Sequence, residues 1–231
     1  MLSFTTLISL SLALTAPFAA SARVIKRSGC DVSSMAIPHL PATMSQSTLK
    51  GAWVGIAIGT QNYTCSSAGT YTNVGALAEL FDVSCLVNTP IFASLPDLAI
   101  NAWEAAPPAV PASQLISLLH GFGGVLGQHY YVVNPLTGTG INPKWDFTSA
   151  SHAGDASAYV VAAKTTGTAA PTGSQDIDWV FLTGLTGENK LAQQVYRTDT
   201  RLGQPPATCT PGTPNIVVKY AAKYWGYGSS L

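Results

Sequence analysis

Charge is the scarcest commodity in this chain. Lysine, arginine, aspartate and glutamate make up only 10 % of 231 residues, with 11 basic against 11 acidic, where soluble domains usually carry about 25 %. Nucleic-acid binding needs a concentrated basic face, so that class of partner is excluded. A strongly anionic membrane surface is disfavoured for the same reason. Several catalytic and metal signatures are missing as well. There is no C-x-x-C pair and no H-x-x-x-H spacing among His39, His120, His129 and His152, so neither a redox dithiol nor a zinc site is read, and no metal is expected. A G-x-S-x-G nucleophile elbow is absent. Ser47-Thr48-Leu49-Lys50 fits S-x-x-K, but the partner motifs that would support it are not there.

The beginning of the chain is rich in something else. Residues 1–22 hold an apolar run from Leu7 to Leu14, then Pro17, then Ala20-Ser21-Ala22 as a small-x-small cleavage pattern. That is the layout of a secretory signal. Its apolar stretch is too short to span a bilayer. Residues 23–27 read as a short pro-segment ending in the dibasic pair Lys26-Arg27, leaving 28–231 as a single all-β domain. Loss of Arg23, Lys26 and Arg27 takes the balance to eight basic against eleven acidic residues. The C-terminus, ending Gly228-Ser229-Ser230-Leu231, lacks the apolar tail of a lipid-anchor signal. A soluble, extracellular monomer with no membrane anchor is expected.

Four cysteines, Cys30, Cys65, Cys85 and Cys209, suit an oxidising compartment, and an even count argues for two disulfides among three connectivities. Asn62-Tyr63-Thr64 is an N-glycosylation sequon.

Short apolar, β-branched and aromatic runs alternate with Gly, Pro and Asn clusters, the pattern of an all-β fold. Strands are expected at 52–58, 61–65, 76–81, 129–133, 158–163, 179–183, 194–198 and 216–220. The predicted class is an antiparallel β-sandwich or barrel, stapled by disulfides. One region, about 95–124, departs from this pattern. There Ala112 to His120 reads as a short helix behind a proline-rich link, an insertion lying over a sheet edge or face.

Gly121-Phe122-Gly123-Gly124-Val125-Leu126-Gly127 approximates a dinucleotide-binding loop. Its sixth position is leucine, and it follows a helix and leads into a strand, the reverse of the required order. No cofactor is expected, nicotinamide included. Asp176 and Asp178 pair carboxylates in the manner a glycoside hydrolase would need, though Asp before a strand equally serves a turn. Among isolated polar residues in aromatic blocks, His129, Asp146 and Arg197 stand out as site candidates. His129 would act as acid or base, with Arg197 holding an anionic group.

Ordered blocks carry a resemblance. They run from Gly59-Thr60-Gln61-Asn62-Tyr63-Thr64-Cys65 and Ala78-Glu79-Leu80-Phe81-Asp82-Val83-Ser84-Cys85, through Gly127-Gln128-His129-Tyr130-Tyr131 and Trp145-Asp146-Phe147. They close on Val195-Tyr196-Arg197-Thr198, Pro205-Pro206-Ala207-Thr208-Cys209 and Tyr220-Ala221-Ala222-Lys223-Tyr224-Trp225. These resemble a secreted domain-of-unknown-function family whose fungal members often carry the label malate dehydrogenase. An all-β pattern and a secretory leader do not suit that enzyme, and only Arg197 and Arg201 would remain after processing. The resemblance supplies no catalytic residues. It implies a Cys65–Cys209 disulfide, which leaves Cys30 for Cys85. Two departures are noted: Leu202 where relatives usually show a glycine, and Gly226 where they usually end aromatically. Function is accordingly expected to be a non-catalytic role at a cell wall, surface or host interface, with extracellular polysaccharide or a cell-wall component as partner. A secreted enzyme acting on carbohydrate or another extracellular polymer is the alternative.

Overall fold

The computed structural model describes residues 30–119, 122 and 124–231. The leader, its cleavage sites, His120, Gly121 and Gly123 lie outside the described residues. Eight strands form there: β1 (Gly51–Cys65), β2 (Tyr71–Asp82), β3 (Val125–Val133), β4 (Ile141–Asp146), β5 (Tyr159–Thr168), β6 (Trp179–Gly184), β7 (Gln194–Leu202) and β8 (Ile216–Tyr227). Each pairs antiparallel with the next, and β8 returns to β1. The alternatives of sandwich and barrel therefore resolve as a closed up-and-down barrel.

Strand boundaries follow local chemistry. The two runs expected at 52–58 and 61–65 are one fifteen-residue strand, because Gly59 approaches Ala78 so closely that a Cβ there would lie 2.5 Å from it. What reads as a break is a close strand approach within the barrel. β4 was not expected, since Asn142-Pro143 reads as a turn. It persists because β5 pairs only Lys144–Asp146, so Pro143 sits where no β5 partner asks for its missing N–H. The Asn142 side-chain amide donates to the Ala162 carbonyl at 2.9 Å and bridges that gap.

The insertion between β2 and β3 holds two helices, α1 (Leu95–Ala105) and α2 (Ala112–Leu119). α2 matches the helix read from the sequence, while α1 was unforeseen. Pro96 in the first turn of α1 and Asp97 beside it are helix-start features. α1 packs outside β1, β7 and β8, where Ile100 and Trp103 join Ile56, Tyr196 and Trp225 in an outer core. The Trp103 indole N–H donates to Gly59 O at 2.8 Å. The disulfides are Cys65–Cys209, from the end of β1 to the loop before β8, and Cys30–Cys85, from the N-terminal segment to the turn after β2.

Inside the barrel, one end is packed with apolar groups: Trp53, Leu80, Leu126, Phe147, Leu182 and Val195. Gly226 belongs here, because a Cβ on it would lie 2.1 Å from the Trp53 indole. Trp53 occupies the space that an aromatic residue at 226 would need. Leu202 has a φ of +56°, in the left-handed region that favours glycine, which accounts for the glycine of the resembled family. Leu202→Gly is expected to change stability by less than about 1 kcal/mol, relief of backbone strain offsetting lost side-chain contact. Urea denaturation measures this, and a loss above about 2 kcal/mol would contradict it.

Candidate functional site

The opposite end of the barrel has a polar interior. Period-two alternation turns His129, Tyr131 and Val133 of β3 inward. The His129 and Tyr131 rings, two residues apart, lie 5.8 Å from each other. Cross-strand pairing turns Trp145 inward with His129, and Tyr224 inward with Arg197. His129 is 1 % exposed, stacked on Trp145 at 4.5 Å and tilted against Tyr224 at 5.3 Å.

Burial pushes the His129 imidazole down to about 3, outweighing the bond to the Lys144 carbonyl that works the other way. Its Nδ1 lies 3.0 Å from that carbonyl. A carbonyl only accepts, so the neutral ring carries its proton on Nδ1. A permanently neutral, enclosed imidazole is poorly placed for proton transfer near neutral pH.

Arg197 lies across the barrel from β3. Its Nε and Nη2 donate to the Asp178 carbonyl at 3.1 and 2.9 Å. Burial disfavours the charge, but the hydroxyls of Tyr224, Tyr131 and Tyr220, Tyr224 through a hydrogen bond as well, more than offset it, and the guanidinium stays cationic. Tyr224 in turn shares a hydrogen bond with Tyr220 at 3.2 Å. Among the described residues, no carboxylate lies within ion-pair distance of Arg197. The Arg197 residue is partly exposed although its charged end is enclosed, and Tyr131 is partly exposed too. Solvent therefore reaches this end. Val133 and Ile141 stand exposed at its rim, beside Lys164 and Asp178, which pair at 4.0 Å.

Two further inward groups, Gln61 Nε2 and Trp145 Nε1, are buried donors with no partner among the described residues. Among the described residues the chamber is thus unbalanced toward donors: a guanidinium and two N–H groups without an anion to receive them.

Asp146 faces the other way, onto the outside of the barrel. It accepts from Tyr130 Oη at 2.7 Å and from Thr148 N and Oγ1 at 3.0 and 2.7 Å, and pairs with Lys144 at 2.9 Å. Burial alone would raise its pKa, but the bonds from Thr148, Lys144 and Tyr130 hold it at about 2. Of the three sequence candidates, His129 and Arg197 meet through Tyr224, and Asp146 does not join them. Asp176 is likewise bound locally, accepting from Thr172 Oγ1 and from the Leu202 N–H. It braces the loop entering β6 while Asp178 points to the mouth, so the two do not act across one groove. Asn62 lies on the outward face of β1, partly exposed.

Sequence reasoning missed Gln61, Tyr131, Tyr220 and Tyr224. The signal was the alternation Tyr220-x-Ala222-x-Tyr224, visible only once β8 is carried through to Tyr227. Among the described residues, no three His, Cys, Asp or Glu gather as a metal set, and no helix is long and apolar enough to cross a membrane. A cavity of about 760 Å³ on the outside, lined by Pro205, Pro206, Val217 and Lys219, offers no free charge at Lys219. That ammonium is bound by the Trp103 and Ala106 carbonyls.

A family sequence model, described as "Protein of unknown function (DUF3455)", matches residues 45–228. The chain belongs to this family. No curated protein and no solved structure matches it. The DUF3455 match spans the whole barrel, from just before β1 to the end of β8, so both halves of the interior, apolar and polar, belong to the family domain. The malate dehydrogenase label is not confirmed.

Proposed function

We propose that this DUF3455 protein is a secreted, non-catalytic binding protein that takes a small carboxylate-bearing ligand into the polar end of its barrel. One observation carries the reading: an ionised guanidinium inside the barrel, ringed by tyrosines, with no carboxylate partner among the described residues. An unpaired enclosed charge costs several kcal/mol, and a carboxylate fits a guanidinium in two-point geometry. Gln61 Nε2 and Trp145 Nε1 supply further donors. Two disulfides and a leader of secretory type support an extracellular location. Cell-wall or surface material is the natural source of such ligands, and the protein acts as a monomer. A carbohydrate-cleaving enzyme has less support, because Asp146 and Asp176 are both committed to local hydrogen bonds.

The mature protein is titrated with acetate and benzoate, with acetamide and benzamide as neutral controls, by calorimetry and tryptophan fluorescence. Carboxylates are expected to bind at least about tenfold more tightly than the amides, and Arg197→Met to remove that preference. Equal binding of acid and amide, or an unchanged preference in the variant, overturns the reading.

A further inference from the structure

A second cavity lies outside the barrel, between α2 and the outer face of β2 and β3. It encloses about 610 Å³, and its walls include Leu77, Ile116, Val125 and Tyr130. On β2, Glu79 alternates with the inward Ala78 and Leu80, so its carboxylate faces this space. Glu79 is 1 % exposed, although charged residues are almost never fully buried without a partner of opposite sign. Its partner here is an amide: Gln128 Nε2 donates to the two carboxylate oxygens at 3.2 and 3.3 Å. Both bonds are long for an ionised acceptor.

The amide is itself held in place. Ser149 Oγ donates to Gln128 Oε1 at 2.6 Å, which fixes the Nε2 end toward Glu79. Among the described residues, no cation pairs with the acid. Of the elements around it, α2 presents the hydroxyls of Ser113 and Ser117, and β3 presents Gln128 and Tyr130. On the next strand, β4, Lys144 is paired with Asp146 at 2.9 Å. Burial raises the Glu79 carboxyl to about 7, against the smaller opposing pull of Gln128.

We infer that this cleft binds a small organic ammonium ion, its cationic head on Glu79 and its hydrocarbon body against Leu77, Ile116 and Val125. Among the described residues, Glu79 is the one carboxylic acid in the cavity wall, and the remaining lining is aliphatic, aromatic or hydroxylic apart from the Gln128 amide. A primary ammonium supplies the charge the carboxylate lacks and has protons left for the serine hydroxyls. A neutral polyol would satisfy the hydroxyls but leave the acid without a counter-charge. Gln128 acts as a positioning residue, holding the carboxylate toward the cavity. The site is on the other side of the sheet from the Arg197 chamber, so the two stand or fall separately.

The probe is benzylamine, with benzyl alcohol as its neutral counterpart, followed by amide chemical shifts and calorimetry on the mature protein at pH 6 and pH 8. Benzylamine is expected to bind at least about tenfold more tightly than the alcohol, and up to about tenfold more tightly at pH 8 than at pH 6, as Glu79 ionises. Shifts should be confined to α2, β2 and β3. Glu79→Gln should abolish both differences. Equal affinity for amine and alcohol, an unchanged affinity between the two pH values, shifts elsewhere, or no binding at millimolar probe overturns the inference. The amine–alcohol comparison needs no variant, so it holds even if Glu79→Gln fails to fold.

Discussion

Replacing Cys65 and Cys209 together by serine is expected to destabilise the protein by about 5 kcal/mol, the larger of the two disulfide effects. The bridge spans 144 residues, against 55 for Cys30–Cys85, and the chain-entropy argument gives about 4 kcal/mol for the shorter loop. The difference in topology is greater than the difference in length. Cys65 ends β1 and Cys209 precedes β8, and these two strands form the seam that closes the barrel. Opening the bridge lets the first and last strands separate in the unfolded chain by the whole length of the domain. For a domain of this size the melting temperature should fall by roughly 10–20 °C. Calorimetry of the two double-serine variants side by side tests this. A loss below about 1 kcal/mol for Cys65/Cys209 would mean that strand pairing alone sets the stability of the seam.

The second large effect is with pH, and two buried groups oppose one another in it. His129 has an ordinary value of 6.5 and a folded value of about 3. Between those values the unfolded chain binds a proton that the folded one refuses, so its contribution is intact above 6.5 and is lost on acidification. The full loss is about 4–5 kcal/mol. Glu79 runs the other way, from 4.5 to about 7. The folded protein keeps a proton there that the unfolded chain releases, so stability falls as pH rises across that window. The cost is up to about 3 kcal/mol, softened because the carboxylate borders a cavity instead of tightly packed protein. Between pH 4.5 and 6.5 the two slopes cancel. The wild-type protein should show a plateau there and a steep loss below pH 4.5, joined below 3.8 by Asp146 as its carboxylate is protonated toward its folded value of about 2. In Glu79→Gln the plateau should become a steady rise from pH 3 to 6.5. Guanidinium unfolding at a series of pH values reads this directly. A variant curve parallel to the wild type would show that Glu79 does not titrate in its buried state.

The barrel was largely legible because its strands carry their own signals. Alternation in β3 and β7 gives the inward positions of His129 and Arg197, and those two do share one interior. What could not be read was the side of the sheet for Asp146. It follows Trp145 on a strand whose proline disguises it as a turn, and a single missed strand reverses nothing locally but hides which residues face out. The Glu79 cleft was hidden for a different reason. Its carboxylate lies in an ordinary alternating strand, and only the placement of α2, far along the chain, turns an outward acid into a buried one. α1 shows the same limit: Pro96 and Asp97 announce a helix start, but the apolar face that stabilises it is supplied by β1 and β8.

Closure of the barrel has a bearing on colloidal behaviour. A protein with so few charges has little electrostatic repulsion to keep copies apart, and extended strands with free backbone groups would invite sheet-to-sheet growth. Here β1 and β8 cover one another's edges, and the short unpaired margin of β4 carries Pro143, with Asn142 donating across it. Among the described residues the barrel thus leaves little unpaired strand edge as a template for sheet growth, a property that does not weaken with ionic strength as mutual repulsion would.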